Sequence, residues 1–283
     1  MDAHSSTLPS RDLPALLDET FLVYIRGFRR FAGLVLVVAG PVGLLTVSLF
    51  QFTGGGMFPF AAAVVLRSLG SVLIFSGGAI AVGQQYVMGN IDIEACLTRP
   101  WHRVVSLLLS TAALAAIVAL PLLLAVVLLG PVVSTLGDAI GDVSSVVLVT
   151  ALALLALFIG VTFWCITLNA VVVEGNHALG ALKRTIGLVR KRWWSVAASS
   201  VLLGLAALGL GILVTVPFAA VMLAAGSGSA TAVVVQSVGG IVVGILVPPV
   251  LFIGGTLLYY DLRVRQEDYD LGALSKEIGV AVV

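Results

Sequence analysis

Between residues 176 and 196, Leu179, Leu182, Ile186, Val189, Trp193 and Val196 recur at intervals of 3, 4, 3, 4 and 3. That spacing puts them on one side of a helix. Lys183, Arg184, Arg190, Lys191 and Arg192 fall largely off the stripe. Trp193 and Trp194 close the segment, and a long apolar run follows. The pattern predicts a helix lying in a membrane surface, with its apolar face in the acyl boundary and its basic face toward the headgroups. Asn176 is the expected N-cap. A helical cytosolic loop is the plainer alternative.

The pattern recurs. A shift of 165 lays Leu17, Phe21, Tyr24, Phe28 and Phe31 on Leu182, Ile186, Val189, Trp193 and Val196, with Thr20 on Thr185 and Arg26 on Lys191. A shift of 86 lays Gly89-Asn90 on Gly175-Asn176 and Cys96 on Leu182 in a shorter copy interrupted by Pro100. The chain therefore reads as an all-α integral membrane protein with three pseudo-repeats. Each is an interfacial amphipathic helix plus a helical hairpin, six transmembrane helices in all.

The interfacial helices are expected at 12–30, 91–103 and 177–195. The spans are expected at 31–52, 68–88, 104–129, 143–173, 197–224 and 231–260, each long enough for the roughly 20 residues a bilayer needs. Residues 57–66 are expected as an extra turn outside the membrane or a re-entrant piece. Asp12 is expected to cap the first helix, and kinks are expected at Pro41, Pro121 and Pro248-Pro249. Residues 1–11 read as a disordered polar tail and 261–283 as a cytoplasmic tail. No cleaved signal peptide is expected, because residues 1–11 have no apolar core.

Composition makes lipid the solvent. Apolar residues are 60% of the chain and charged residues 10%, far from the roughly 45–50% and about 25% of soluble domains. A net charge of +1 gives no reason to expect nucleic acid. Two cysteines without a CxxC or Cys/His cluster give neither a disulfide framework nor a metal site. The cations are one-sided. Of fifteen Lys and Arg, only Arg67 falls in a loop expected outside, which predicts cytoplasmic N- and C-termini. Tyr24, Phe28, Trp101, Trp193, Trp194, Tyr259 and Tyr260 are expected as an inner aromatic belt, and Phe50, Phe52, Phe58 and Phe60 as an outer one.

Ionisable side chains inside spans are the usual marks of function in a membrane protein, and this sequence has almost none. Arg67 either snorkels to the outer surface or faces a crevice with Gln84, Gln85 and Asn169. Without a Ser/His/Asp or Cys/His set in a span, and without GxxxxGK[ST], no catalytic group and no cofactor is expected. Gly240 and Gly244 fit GxxxG, a weak sign of close helix contact.

The closing stretch 256–271, with Tyr259-Tyr260-Asp261-Leu262-Arg263-Val264-Arg265, resembles the end of the membrane domain associated with bacterial glycerophosphodiester phosphodiesterases. Residues 16–31 and 181–194 resemble that family's segments at matching places. The resemblance implies a bacterial plasma membrane. It implies no phosphodiesterase activity here, since no catalytic barrel accompanies the membrane domain in this sequence. Tyr259 and Tyr260 suit a boundary of two solvents. Asp261 is expected to pair with Arg263 or Arg265, or with Arg184 or Arg192.

The function expected is a non-catalytic multi-pass membrane protein. It would engage anionic lipid, and a membrane or cytosolic partner protein, through Arg26, Arg29, Arg30, Lys183, Arg184, Arg190, Lys191, Arg192, Trp193 and Trp194. A lipid or small-molecule transporter is the alternative, and an intramembrane enzyme the third reading.

Overall fold

The computed structural model describes residues 12–53, 56–117, 142–226, 230–267 and 271–277. Every element among them is a helix: α1 (Leu13–Thr53), α2 (Met57–Met88), α3 (Ile93–His102), α4 (Val104–Ile117), α5 (Asp142–Val172), α6 (Ala178–Arg190), α7 (Trp193–Ala225), α8 (Ala230–Glu267) and α9 (Leu271–Glu277). Five are long and apolar enough to cross a membrane, or six if α3 and α4, bent at 71°, make one broken span. The 1–11 tail, the second half of the 104–129 span with Pro121, the 130–141 loop and the end of the C-terminal tail lie outside the described residues.

Helix follows from the near absence of breakers inside apolar runs, and from a solvent that leaves backbone groups no partner but one another. Several expected boundaries dissolve for that reason. Nothing between Arg30 and Phe31 stops a helix, so the interfacial segment and first span form one 41-residue helix. At 1.5 Å per residue it is about 61 Å long, twice a hydrocarbon core of about 30 Å. Residues 57–66 likewise run without a break into the 32-residue α2, with Pro59 tolerated in its first turn. Pro248-Pro249 lies inside an unbroken α8. The break before α7 does exist: Lys191 and Arg192 form a turn closed by Arg192 N–H donating to Val189 O at 2.9 Å.

Packing concentrates toward one end of the bundle, where the first turns of α1, the end of α2, the starts of α4 and α7 and the ends of α5 and α8 converge. Phe31, Phe252, Phe75 and Trp164 form a ring column through α1, α8, α2 and α5, with centroid separations of 5.6, 6.1 and 4.7 Å. Trp164 ends it by donating Nε1–H to Thr111 of α4 at 2.9 Å. Toward the other end Phe50, Phe52, Phe58, Phe60 and Leu223 stand exposed, as apolar groups do when lipid is their solvent. Trp101, Trp193 and Trp194 are exposed as well. Tyr259 and Tyr260 are not part of that belt. They are 0% and 1% exposed, because α8 is the central helix at this depth and its sides are covered.

Glycine lets the helices close in. A Cβ on Gly77 would stand 2.7 Å from the Cys96 carbonyl oxygen, and one on Gly255 would stand 2.6 Å from Cys165 Cβ. A Cβ on Gly240 or Gly244 would meet no described residue within 4 Å, so the GxxxG pair makes no close contact among the described residues.

Candidate functional site

The residues with chemistry gather at the well-packed end. α5 finishes at Val172, and Gly175, with φ +79°, turns the chain toward α6. Glu174 is thereby aimed at the end of α8. It accepts from Tyr259 Oη, from Arg184 Nε at 2.9 Å and from Asn176 Nδ2 at 2.8 Å, while Arg263 Nε stands 3.5 Å away. Asn176 is thus spent on Glu174 and is not the N-cap of α6. His177 holds that position, with no side-chain bond.

Arg184 bridges to α8 by a second bond, Nη2 to Glu267 at 2.6 Å. That bond raises the Arg184 guanidinium above its ordinary value; burial opposes this, and Glu174 adds to it. Arg184 therefore stays a cation at any pH the fold survives. Arg263 forks onto Glu277 of α9 at 2.7 and 2.9 Å and stands 3.3 Å from Glu267, its guanidinium 5.7 Å from the centre of the Tyr259 ring. Arg265 pairs with Asp261 at 2.9 Å, one helical turn away. The pairing with Arg265 was among those open to Asp261 in the sequence. Gln266 Nε2 donates to Leu188 O of α6 at 2.8 Å.

The network is a lock between elements: α5, α6, α8 and α9 meet through three carboxylates and two guanidiniums. Two further arginines tie neighbours. Arg103 Nη1 donates to Val171 O at 2.9 Å, and Arg99 Nη1 to Glu277 O at 3.3 Å. Reading the sequence missed Glu174, Glu267, Glu277, Arg99 and Arg103 as site residues. For Glu174 a signal existed, an acid set directly after an apolar run with arginines at the ends of other runs. For Glu277 there was none.

The basic residues divide. Arg184, Arg263, Arg265, Arg99 and Arg103 are engaged, and Arg30 reaches Gly89 O at 3.5 Å. Arg26, Arg29, Lys183, Arg190, Lys191 and Arg192 are exposed, and their side chains bond to none of the described residues. Beside them stand exposed apolar groups: Phe21, Leu22 and Ile25 in α1, and Leu179, Ile186, Trp193 and Trp194 around α6. The predicted stripe is thus split. Leu182, Val189 and Val196 pack inward with Ala181, Thr185 and Leu188, while Leu179, Ile186 and Trp193 face out. A helix whose one flank touches protein needs two apolar edges.

The four crevice candidates are not brought together. Arg67 is exposed on α2. Gln84 lies seventeen residues on, about 26 Å along the helix, and accepts from Asp92 N at 2.9 Å and Cys96 Sγ at 3.4 Å. Asn169 is buried in α5 and donates to Cys165 O and Thr256 Oγ1 at 2.8 and 3.3 Å. The carbonyl oxygens of Gln85 and Asn169 are buried without a partner among the described residues. Among the described residues no three of His, Cys, Asp and Glu stand together as a metal set. No family model, no curated protein and no solved structure matches the chain.

Proposed function

We propose that the chain is a non-catalytic protein of a bacterial plasma membrane whose well-packed end faces the cytoplasm and engages anionic lipid, and through it a partner protein. The observation that carries this is the division of the cations. Those that hold the fold together point into the network. Arg26, Arg29, Lys183, Arg190, Lys191 and Arg192 point out, interleaved with exposed Phe, Leu, Ile and Trp. Charge and apolar surface exposed side by side suit the headgroup boundary, and the one-sided cations support cytoplasmic termini.

Three repeated units belong to the same proposal, and three features support them. Under the 165 shift the buried set Ala181, Thr185, Leu188 and Val196 corresponds to Leu16, Thr20, Val23 and Phe31, all buried. Thr20 and Thr185 both bond back one turn, at 2.7 and 2.9 Å. Under the 86 shift Gly89 and Gly175 both have positive φ, +64° and +79°, and each precedes a short helix. The resemblance to the phosphodiesterase-associated membrane domain belongs here too. Tyr259, Asp261, Arg263 and Arg265 all hold helices or turns together, which supports reading that motif as architectural.

The test is extraction into native membrane discs followed by mass spectrometry of what stays bound. Changing Arg190, Lys191 and Arg192 together to alanine removes about 1 kcal/mol of lipid attraction per residue. Retained anionic lipid should fall while the melting temperature holds. Identical bound lipids and partners in parent and variant would end the proposal.

A translocating protein is the second reading. Two apolar grooves favour it, about 530 Å³ between α1, α2 and α3 and about 440 Å³ between α5, α7 and α8. Absence of lipid or solute flux in proteoliposomes would remove it.

A further inference from the structure

A cleft of about 230 Å³ opens where the starts of α1 and α7 meet the end of α8. Its polar lining is Asp12, Arg192, Ser195, Ser199, Asp261 and Arg265, over aliphatic groups that include Leu16 and Leu258. Taking each water at about 30 Å³, the space equals roughly eight, the scale of a small headgroup. The exposed Trp193 and Trp194, next in sequence to Arg192, set it at the level where aromatic side chains meet headgroups.

The lining charges sum to zero, but they are not equally available. Asp261 and Arg265 are bonded to each other at 2.9 Å. That leaves one cation and one acid. Arg192 is exposed and its side chain bonds to no described residue. Asp12 is 95% exposed, and among the described residues Arg265 stands 3.9 Å from it. Two hydroxyls stand on the Arg192 side. Ser199 is 4% exposed, lines the cleft and makes no hydrogen bond with any described residue; Ser195, one turn before it, makes none either. The N-terminal amides of α7, whose N-cap is Arg192, add positive potential. Hydroxyls that face the cleft and bond to no described residue are free to donate to an acceptor placed there.

We propose that this cleft binds the headgroup of a zwitterionic phospholipid bearing a primary ammonium. The phosphate is held by Arg192, Ser195 and Ser199, and the ammonium by Asp12. The proposal rests on the membrane reading above but not on the anionic-lipid reading. A quaternary ammonium has no N–H to give Asp12, and a headgroup without a cation leaves Asp12 facing the phosphate. Phosphatidylethanolamine should therefore win over both phosphatidylcholine and phosphatidylglycerol with the same chains.

The test uses the delipidated full chain in micelles with equimolar phosphatidylethanolamine, phosphatidylcholine and phosphatidylglycerol, and counts lipid adducts by native mass spectrometry. Retention of the ethanolamine lipid over the choline lipid should be about two- to fivefold, the scale of one exposed charge pair. Asp12→Asn should level the two while total adducts persist. Arg192→Gln and Ser199→Ala should reduce both. Lys183→Gln, away from the cleft, should change only phosphatidylglycerol. No ethanolamine preference in the parent, or a preference that survives Asp12→Asn, overturns the proposal. Since Asp12 is a surface residue, that variant folds even if Arg192→Gln does not. Glycerophosphoethanolamine should fail to displace the lipid at equal concentration; complete displacement would overturn the lipid in favour of a soluble phosphodiester. Fewer phosphatidylglycerol adducts when Lys183, Arg190 and Lys191 are changed together to alanine, with Arg192 left in place, tests the anionic-lipid reading separately.

Discussion

The phenolic hydroxyl of Tyr259 donates to Oε1 of Glu174, joining the end of α8 to the end of α5 across 85 positions of sequence. Around that bond Arg184 and Arg263 approach the same carboxylate from α6 and α8. Glu174 is the acid of the lock on which Tyr259 and Arg263 of α8 and Arg184 of α6 converge.

Tyr259→Phe keeps the ring and its packing and removes only the donor. A hydrogen bond to a charged group is worth about 1.5–3 kcal/mol, so the melting temperature in detergent should fall without aggregation. Glu174→Ala goes further, because it strands Arg263, which is 8% exposed. Its loss should lie toward the lower end of the roughly 3–5 kcal/mol for breaking a buried pair, since Arg263 keeps Glu277. If Glu174→Ala melts with the parent, the lock is not structural.

Gly77→Ala and Gly244→Ala form a matched pair within long helices. A methyl on Gly77 meets a backbone oxygen of α3 at 2.7 Å, and a backbone cannot step aside. Overpacking of this kind costs about 1–3 kcal/mol. A methyl on Gly244 meets nothing within 4 Å, so helix propensity alone acts, about 1 kcal/mol in favour of alanine. Opposite signs in thermal unfolding are expected. Equal destabilisation by both would mean that Gly244 packs against another molecule.

The long apolar stretches were legible from composition, and they form five or six helices long and apolar enough to cross a membrane. Reading the sequence misplaced boundaries where no breaker marks them: Arg30 to Phe31 is a change of solvent, not of backbone. Periodicity located the short helix within 177–195 but not its inward edge. The stripe containing Leu179 and Ile186 was chosen for hydrophobicity, whereas the protein side holds Thr185 and Ala181. The ion lock was half visible. Arg265 and Asp261 pair at a spacing the motif shows, but the pairing of Arg263 with Glu174 and Glu277 is a matter of distance in space, which no spacing along the chain encodes.

Arg184 and Arg190 lie six residues apart on α6 and should behave as different kinds of residue. Arg184→Ala removes two carboxylate contacts and should destabilise the fold by about 1–3 kcal/mol, with anionic-lipid retention unchanged. Arg190→Ala should leave stability within about 0.5 kcal/mol and lower lipid retention. Detergent melts and lipid adduct counts on the same two preparations check both halves. The reverse assignment would place the wrong cation at the membrane surface.

α9 has only seven residues, too few to hold a helix without neighbours. Its seat is Leu274, which is 0% exposed, together with the Arg263 fork onto Glu277 and the Arg99 bond to the Glu277 carbonyl. Such a segment opens locally before the bundle does, so its own free energy limits what a mutation there can cost the whole. Leu274→Ala gives up about 2 kcal/mol or more of buried contact. That should raise protease cleavage within 271–277 roughly 30-fold, while the bundle melts within a few degrees of the parent. Glu277→Gln keeps Leu274 seated and weakens only the fork, so cleavage should rise less. Cleavage rising only in step with global unfolding would show α9 to be part of the bundle and not a segment clipped onto it.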